Sequence, residues 1–168
     1  MHQPPSETAP PLTHFDDSGA ARMVDVGEKP ITSRVAVAEA CVEAAEATIE
    51  AIRTGGAAKG DVLAVARLAG IMAAKRAADL IPLCHPLPLN AVDLEFAFPK
   101  PTSLAIRVRT DVSARTGVEM EAMTAASVAA LTVYDMVKAI DRGVAIGPIR
   151  LIEKHGGKSG SWIRGDDR

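Results

Sequence analysis

The chain has 168 residues, of which 48% are apolar and only 3% aromatic, and its formal net charge is −2. A domain of this size buries about 70% of its unfolded surface, so it needs no disulfide framework to stabilise a core. The charge argues against a protein that holds a long nucleic-acid backbone, because such proteins usually present a basic face. No apolar run approaches the ~20 residues of a membrane span. The composition therefore favours one domain that binds neither nucleic acid nor membrane.

The two ends of the chain differ in composition from the region between them. Residues 1–20 are rich in Pro, Ser and Thr, which predicts a disordered or loosely attached arm. They lack the basic start and apolar stretch of a signal peptide, and two cysteines are too few for a disulfide framework. We therefore expect a cytoplasmic protein with one domain over residues 21–161 and a C-terminal tail over residues 162–168.

The first predicted elements are strands followed by two helices. A short strand is expected at residues 23–26, and a second, over residues 32–42, bends into a helix that ends at Gly55. Asp61 is expected to cap the next helix, because apolar residues then recur at three- and four-residue spacing up to residue 80.

Two strands, a long helix and a last strand complete the predicted order. The strands have alternating apolar residues, which are Val92, Leu94, Phe96 and Phe98 in the first and Leu104, Ile106, Val108 and Val112 in the second. Thr116 and Glu119 match a capping box that opens a helix reaching about residue 141, and residues 144–153 form the last strand. This order predicts an α+β, ferredoxin-like fold with helices packed on one face of an antiparallel sheet.

Cys84 and His85 lie between prolines in the segment IPLCHPLPL, which restricts the backbone and fixes where the histidine points. A positioned histidine is a candidate acid or base near neutral pH. The alternative is a half-buried loop histidine. A zinc site is disfavoured because no second Cys/His pair stands at a usable spacing.

Lys59 precedes the helix capped by Asp61 and is a candidate phosphate ligand, the alternative being a solvated loop lysine. The segment GGKSG is similar to a nucleoside-triphosphatase loop, but Ile152 stands where that loop needs a glycine, so we reject this function. Residues 156–158 are a candidate for a mobile flap that covers a ligand.

Polar and apolar residues share one stripe of the long helix, namely Glu121, Thr124, Val128, Leu131, Asp135 and Lys138. We expect this stripe to face the protein interior or an interface. Asp135 and Lys138 are three positions apart and can pair with each other. A structural ion pair and a functional pair both remain open at this point.

Four phrases of the sequence resemble one enzyme family, the cyclic pyranopterin monophosphate synthases. The phrases are RMVDVGEKPITSRVA, KGDVLAVARLAGIMAAKRAADLIPLCHPLPL, TGVEMEAMTAASVAALTVYDMVKAI and IGPIRLIEKHGGKSG. The most specific pieces are LCHPL, TGVEMEA and YDMVK, and the resemblance covers roughly residues 13–161. It implies a ferredoxin-like lyase that converts 3′,8-cyclo-7,8-dihydro-GTP to cyclic pyranopterin monophosphate and pyrophosphate during molybdenum-cofactor biosynthesis.

The resemblance also implies a set of site residues. Asp135 matches the catalytic aspartate, Lys59 and Lys138 match essential lysines, and His85 joins them as a candidate acid or base. The implied substrate contacts are Leu83, Cys84, His85, Glu119, Met120, Glu121 and Arg34. A lysine with a depressed pKa would suit the proton transfers that the reaction requires.

The implied partners are a small-molecule substrate and further copies of the chain. The family resemblance implies a homo-oligomer, a hexamer built as a trimer of dimers with its sites at the dimer interface. It requires no metal or redox cofactor, and leaves room for magnesium bound with the triphosphate. Two other classes of function stay open: a nucleotide-binding regulatory module without turnover, and a structural subunit. Turnover by the purified chain distinguishes the enzyme from both.

Overall fold

Two long strands with alternating apolar residues form the centre of the fold. In the computed structural model, which describes residues 18–56 and 59–165, they are β1 (Thr32–Glu43) and β3 (Ser103–Ala114). They pair antiparallel over their full length, with Val37 opposite Arg109. Alternate residues of the two strands share one buried face, which contains Ala36, Ala38, Ala40, Leu104, Ile106, Val108 and Val112.

The remaining strands extend this central pair on both sides. Strand β2 (Ala91–Lys100) pairs with β3, whereas β5 (Arg150–His155) pairs with β1. Two short strands follow: β4 (Ala145–Ile146) pairs with the end of β1, and β6 (Trp162–Ile163) pairs with β5. The order is β2-β3-β1-β5-β6 and the described pairings are antiparallel. The predicted ferredoxin-like α+β fold is therefore confirmed.

The helices of the described part are α1 (Glu46–Thr54), α2 (Val62–Ala74), α3 (Ala77–Leu80) and α4 (Glu119–Val137). Helix α1 ends, as predicted, at Gly55, which adopts the left-handed conformation with φ 72°. The Asp61 carboxylate caps α2 as predicted, because its Oδ1 accepts a hydrogen bond from the Ala64 amide at 2.9 Å. No helix in the described part is long and apolar enough to cross a membrane.

Helix α4 packs against the sheet on one side and α2 on another. Its buried residues are mostly small: Ala122, Ala125, Ala126, Ala129, Ala130 and Val133 are fully buried. Gly70 of α2 lies where a Cβ atom would approach Leu94 Cδ2 to 2.6 Å and the Ala125 carbonyl oxygen to 3.2 Å. A glycine is therefore needed at this point because the two helices and β2 meet without space for a side chain.

The outer face of the sheet is covered by ion pairs. Arg107 pairs with Glu153 at 2.7 Å, and Arg150 pairs with Glu39 at 2.6 Å. The Arg150–Glu39 pair joins the neighbouring strands β5 and β1, whereas the Arg107–Glu153 pair reaches from β3 across β1 to β5. Arg107 points away from the core, as its place in the alternating pattern predicts. Cations on this face are thus neutralised locally.

The outer edge of the sheet is strand β2. A guanidinium N–H of Arg67, from α2, donates to the Leu94 carbonyl oxygen of this strand. The same guanidinium lies over the ring of Phe96, 5.1 Å from its centroid. Pro99 and Lys100 end the strand. The edge is therefore partly occupied by groups from its own chain.

The predicted capping box is wrong. Helix α4 begins at Glu119, its N-cap is Val118, and no side chain caps it. The Glu119 carboxylate instead pairs with Lys154 of β5 at 3.3 Å. A long-range ion pair has replaced the local interaction that the spacing of Thr116 and Glu119 suggested.

Three other boundaries differ from expectation. Residues 23–26 form no strand, and the helix expected up to residue 80 is interrupted between Ala74 and Ala77. The strand expected over residues 144–153 is divided into β4 and β5, because Pro148 has no amide to donate to a neighbouring strand. Of the expected terminal segments, residues 1–17 and 166–168 lie outside the described residues, whereas Trp162–Ile163 belongs to the sheet.

Replacing Gly70 by valine is expected to lower the free energy of unfolding by about 2 kcal/mol, because the added atoms overlap Leu94 and the Ala125 carbonyl. Urea unfolding followed by circular dichroism measures this change. Ala64→Val, on the exposed side of the same helix, is the control, with an expected loss of about 0.5 kcal/mol from helix propensity alone. Equal losses in the two variants would contradict the close packing at Gly70.

Candidate active site

A pocket of about 340 Å³ lies at the N-terminal end of α4. The two segments that the sequence singled out meet in its walls, which include Leu83, Cys84, His85, Glu119, Met120 and Glu121. The first segment is held by a turn, in which the Cys84 amide donates to the Ile81 carbonyl at 3.1 Å. The Asn90 amide donates to the Asp111 carbonyl at 2.8 Å, which fixes the end of the segment to β3. Residues more than 30 positions apart are thus brought to one cavity.

Glu121 is the most deeply buried charged group of this pocket, with 4% of its surface exposed. Burial raises the pKa of its carboxyl from 4.5 to about 7, and the nearby charge of Glu119 acts in the same direction. The carboxyl therefore exchanges its proton near neutral pH. A group with this property is suited to donate and accept protons during catalysis.

Burial also raises the pKa of the Cys84 thiol, with further contributions from the charges of Glu121 and Glu119. A raised pKa keeps the thiol protonated at neutral pH, and a protonated thiol is a poor nucleophile. Cys41 and Cys84 are both free in the structure. The cysteine of this segment is thus placed to contact a ligand and poorly suited to attack one.

Arg34 lies beside this pocket, in a smaller cavity of about 160 Å³ that also contains Glu119 and Lys154. Its guanidinium donates to the carbonyl oxygens of Ala114 and Arg115, at 3.1 and 3.2 Å. These bonds hold the connection between β3 and α4 in place. Arg34 is therefore positioned next to the predicted contact residues and supports the loop that carries some of them.

Lys59, Asp135 and Lys138 form a separate cluster at the C-terminal end of α4. Lys138 Nζ lies 2.7 Å from Asp135 Oδ1, and Lys59 Nζ lies 3.3 Å from Oδ2. Lys59 also donates to the Asp135 main-chain carbonyl at 2.9 Å. The predicted pairing of Asp135 with Lys138 is confirmed, and Lys59 joins it as a second cation on the same carboxylate.

The electrostatics of this cluster favour the charged forms of its groups. The hydrogen bond from Lys138, followed by that from Lys59, holds the pKa of Asp135 below its usual range. The same contact raises the pKa of Lys138. Lys138 is therefore not a lysine with the depressed pKa that would suit proton transfer, because its nearest charged partner is an anion.

The helical stripe that includes these residues is only half buried. Glu121 and Thr124 are buried, whereas Leu131 is 57% exposed and the Asp135 and Lys138 side chains are more than half exposed. Of the two environments expected for this end of the stripe, the interior of its own chain is therefore excluded, and an interface stays a prediction. This end lies on the surface, where a second protein chain can cover it.

The structure thus divides the predicted residues into two groups. The contact residues lie at one end of α4, with His85 half-buried among them, and the charged cluster lies at the other end. Glu121 and Asp135 are 14 positions apart, which corresponds to about 21 Å along a straight helix. One compact ring system cannot touch both groups within one chain.

Sequence reasoning missed two pocket residues, Lys29 and Lys154. Lys29 lines the main pocket, and Lys154 holds Glu119. Both belong to phrases that carried the family resemblance, but their local sequence has no motif that assigns them a role. Among residues 18–56 and 59–165, no group of three or more His, Cys, Asp or Glu side chains is arranged to hold a metal ion.

Comparison with known families agrees with this geometry. The model of the MoaC family matches residues 23–157. The chain belongs to the MoaC family. The matched region contains every candidate site residue named above, at both ends of α4.

Curated relatives extend over nearly the whole chain. A protein of Thermomicrobium roseum is 62% identical over 157 residues, which cover 93% of this chain and 95% of the relative. A protein of Brevibacillus brevis is 56% identical, covering 92% of this chain and 97% of its own length, and one of Cereibacter sphaeroides is 59% identical, covering 90% and 96%. All three are named cyclic pyranopterin monophosphate synthase.

The raised pKa of Glu121 predicts a pH-dependent effect of Glu121→Gln on stability. The folded state holds the carboxyl proton more tightly than the unfolded state, so this contribution to stability is present below pH 4.5 and is lost as the pH rises through about 7. Glutamine avoids that loss. The stability of the variant relative to wild type should therefore rise between about pH 5 and pH 8, by roughly 2–3 kcal/mol.

Urea unfolding at a series of pH values measures this difference. Glu95→Gln is the control, because Glu95 is exposed on β2 outside the pocket. A difference between Glu121→Gln and wild type that stays constant over the same pH range would show that the Glu121 carboxyl titrates normally.

Proposed function

We propose that this chain is a lyase of molybdenum-cofactor biosynthesis that converts 3′,8-cyclo-7,8-dihydro-GTP to cyclic pyranopterin monophosphate and pyrophosphate. Relatives named for this product are 56–62% identical over at least 90% of the chain. The observation that carries the proposal is the single pocket in which the segments Leu83–His85 and Glu119–Glu121 meet. These are the segments that resemble the substrate contacts of the family.

The chemistry of the pocket suits the ring rearrangement. Opening the five-membered part of a purine and rebuilding it as a pterin requires repeated proton transfers by fixed groups. The pKa of Glu121 is raised to about 7, and the His85 imidazole lies in the same cavity. The Glu121 carboxyl can therefore hold or release a proton at physiological pH without a large change in free energy, and we propose His85 as its partner in these transfers.

Formation of the cyclic phosphate is the second demand of the reaction. Negative charge develops on phosphoryl oxygens as pyrophosphate leaves, and fixed cations lower the energy of that state. Lys59 and Lys138 are held 3.3 and 2.7 Å from the Asp135 carboxylate, so the three groups are pre-positioned. We assign the lysines to this charge stabilisation and Asp135, held as a carboxylate, to proton acceptance.

A complete site, in this proposal, takes residues from two chains. The pocket at the N-terminal end of α4 and the charged cluster at its C-terminal end lie about 21 Å apart along the helix. Two antiparallel copies of α4 around a twofold axis would bring one end of each helix to the same cavity. Twofold symmetry is the commonest arrangement in soluble oligomers.

The surface around the charged cluster supports this assembly. Leu131 precedes Asp135 by one helical turn and is exposed, as are three apolar residues of the neighbouring helix α2, Val65, Leu68 and Met72. Exposed apolar side chains on adjacent helices are typical of a surface that another chain covers. We propose a homodimer here and, from the family resemblance, a hexamer of three such dimers.

The remaining parts of the proposal concern the location and cofactors of the enzyme. Two unpaired cysteines are typical of a reducing compartment, and we propose a cytoplasmic enzyme on this ground. The acid–base and phosphoryl chemistry described above uses side chains of the chain itself. We propose that no resident metal or redox cofactor is required and that any magnesium enters with the triphosphate.

Incubation of the purified protein with the cyclised GTP should consume the substrate and release pyrophosphate, as measured by a coupled pyrophosphate assay. Lys59→Ala and Lys138→Ala should each lower the rate by a factor of about 10² or more, because each removes a charged contact to the transition state. Lys100→Ala, at the exposed end of β2 and outside both groups of candidate residues, is the matched control and should retain the wild-type rate.

Binding of the substrate without product would instead support a nucleotide-binding module, and the absence of both would support a structural subunit. Wild-type rates in folded Lys59→Ala and Lys138→Ala would show that these lysines are solvated surface residues. Circular dichroism of each variant establishes that it is folded.

The shared site predicts that two inactive variants restore activity to each other. In a mixed dimer of His85→Ala and Lys138→Ala, one site carries both substitutions and the other carries neither. After subunit exchange of an equal mixture, activity should return to about a quarter of wild type, since half of the dimers are mixed and each has one intact site. Light scattering of the same samples gives the size of the assembly.

Subunit exchange is verified with differently tagged chains, so that the absence of activity can be interpreted. If exchange is complete and the mixture stays inactive, His85 and Lys138 serve a site within one chain. The two-chain arrangement is then wrong for this pair of residues.

A further inference from the structure

The turn that follows α4 contains an acidic residue, Asp141, whose carboxylate accepts three hydrogen bonds. Its Oδ2 atom accepts from the Ala45 amide at 3.0 Å and from the Thr48 hydroxyl at 3.1 Å. Its Oδ1 atom accepts from the Gly143 amide at 2.8 Å. Ala45 is the N-cap residue of α1, and Thr48 lies in the first turn of that helix. One side chain thus joins the end of α4 to the start of α1.

The charge of this carboxylate is favoured by α1 and disfavoured by α4. An anion is stabilised at the N-terminal end of a helix and destabilised beyond the C-terminal end, because of the helix dipole. In a capping box, an acidic side chain of the first turn accepts from the N-cap amide, and here Asp141 supplies that acceptor from a distant segment. The hydrogen bonds from Ala45 and Gly143 hold the pKa of Asp141 below its usual range, so the group is an anion at neutral pH.

The end of α4 differs from the end of α1, where the left-handed Gly55 stops the helix. Lys138 is the C-cap residue of α4, has a right-handed conformation, and donates from its amide to the Tyr134 carbonyl at 2.8 Å. The Asp141 amide then donates to the Val137 carbonyl at 3.0 Å, which closes one more turn. The Asp141 side chain therefore anchors a turn that lies beyond the alanines that pack α4 against the sheet.

This turn contains one of the lysines of the charged cluster. Lys138 and Asp141 are three residues apart, so anchoring one of them restricts the backbone of the other. The Lys138 side chain is 51% exposed, and its Nζ atom lies 2.7 Å from Asp135 Oδ1. The position of its ammonium group thus depends mainly on its own backbone and on Asp135.

We propose that Asp141 is a positioning residue for the reaction: by anchoring the turn after α4 to α1, it holds Lys138 in place against Asp135 and the reacting phosphoryl group. The inference rests on the proposed function and adds to it a residue that touches neither the substrate nor the reacting atoms. A misplacement of about 1 Å at a catalytic group can lower a rate by a factor of about 10². Anchoring the backbone of Lys138 is therefore sufficient to affect turnover.

A positioning role and a purely structural role predict different kinetics. We assign Lys138 to charge that develops in the transition state, so displacing it should lower kcat and leave KM nearly unchanged. A side chain that only stabilises the fold lowers the urea concentration at which the protein unfolds. It leaves the kcat of the folded enzyme unchanged.

Three variants of the full-length protein test the anchor. Asp141→Ala removes all three acceptor contacts, and its kcat for the cyclised GTP should fall about ten-fold while KM changes less than about two-fold. Asp141→Asn keeps one oxygen that can accept from both Ala45 and Thr48, so its kcat should recover to within about three-fold of wild type. Thr48→Val removes one donor and should lower kcat about three-fold, which tests the anchor even if Asp141→Ala does not fold.

Ile49→Val is the control for loss of stability. Ile49 is fully buried in α1 next to Thr48, so shortening its side chain destabilises the fold without removing a hydrogen bond to Asp141. This variant should unfold at a lower urea concentration than wild type and keep the wild-type kcat.

Acetylation of Lys138 tests its position without any turnover. The hydrogen bond to Asp135 raises the pKa of Lys138, which favours the ammonium form that does not react with acetic anhydride. In Asp141→Ala this contact should loosen, and Lys138 should be acetylated faster than in wild type. Mass spectrometry of the digested protein measures the rate, with Lys100 of the same sample as the reference.

Three results would overturn the role of Asp141: wild-type kcat in both Asp141→Ala and Thr48→Val, an equal fall of kcat in Ile49→Val, or an unchanged acetylation rate of Lys138 in Asp141→Ala. If the wild-type protein does not convert the cyclised GTP, the proposed function fails, and the acetylation rates alone decide whether Asp141 holds Lys138. The two proposals can therefore fail separately.

Discussion

The close packing of α4 against the sheet and α2 is the constraint on which the rest of the structure depends. Alanines on α4 and Gly70 on α2 leave little space between the layers, so the helix axis is fixed along its length. Both groups of candidate residues are attached to this one helix, Glu119 and Glu121 at its start and Asp135 near its end. A rigid helix thereby holds two half-sites at a constant separation. Their chemistry depends on a geometry that neither half-site could maintain alone.

The surroundings at the two ends of the helix shift the pKa values of carboxyl groups in opposite directions. At the start, Glu121 is shielded from water and its pKa rises to about 7. At the end, Asp135 is exposed and its pKa is lowered by two lysines. Two carboxyl groups of one element thus differ in their protonation state at neutral pH. Pairs of groups whose environments separate their pKa values are typical of acid–base catalysis.

Much of the fold could be predicted from local sequence because the relevant interactions are short in range. Asp61 caps α2 through the amide three residues later, and Gly55 ends α1 by adopting a conformation that glycine favours. The alternation of Leu104, Ile106 and Val108 gave the buried face of β3. In each case, the local structure is determined by residues that are close together in the sequence.

The wrong predictions concern positions where contacts between residues distant in the sequence replace contacts between neighbours. Glu119 pairs with Lys154, 35 positions away, and so does not close the capping box with Thr116. The exposure of Leu131 and Asp135 depends on where α2 and the sheet lie, which the helical periodicity of α4 alone does not specify. A cavity lined by Lys29, Arg34 and Lys158 combines three segments from across the chain, and no local motif indicates that these segments meet. Family resemblance located the contact segments, but only the three-dimensional arrangement shows which cations surround one cavity.

The contact between Arg67 and the edge strand β2 has a consequence for how the protein behaves in a crowded solution. An uncovered strand edge is a template for pairing with other chains, which leads to aggregation. Here a guanidinium N–H occupies the Leu94 carbonyl, and its charge lies over Phe96 at the same edge. Bringing a foreign strand to this edge would require displacing and desolvating that charge. The same helix that packs against α4 through Gly70 thus also protects newly folded chains against edge-to-edge association.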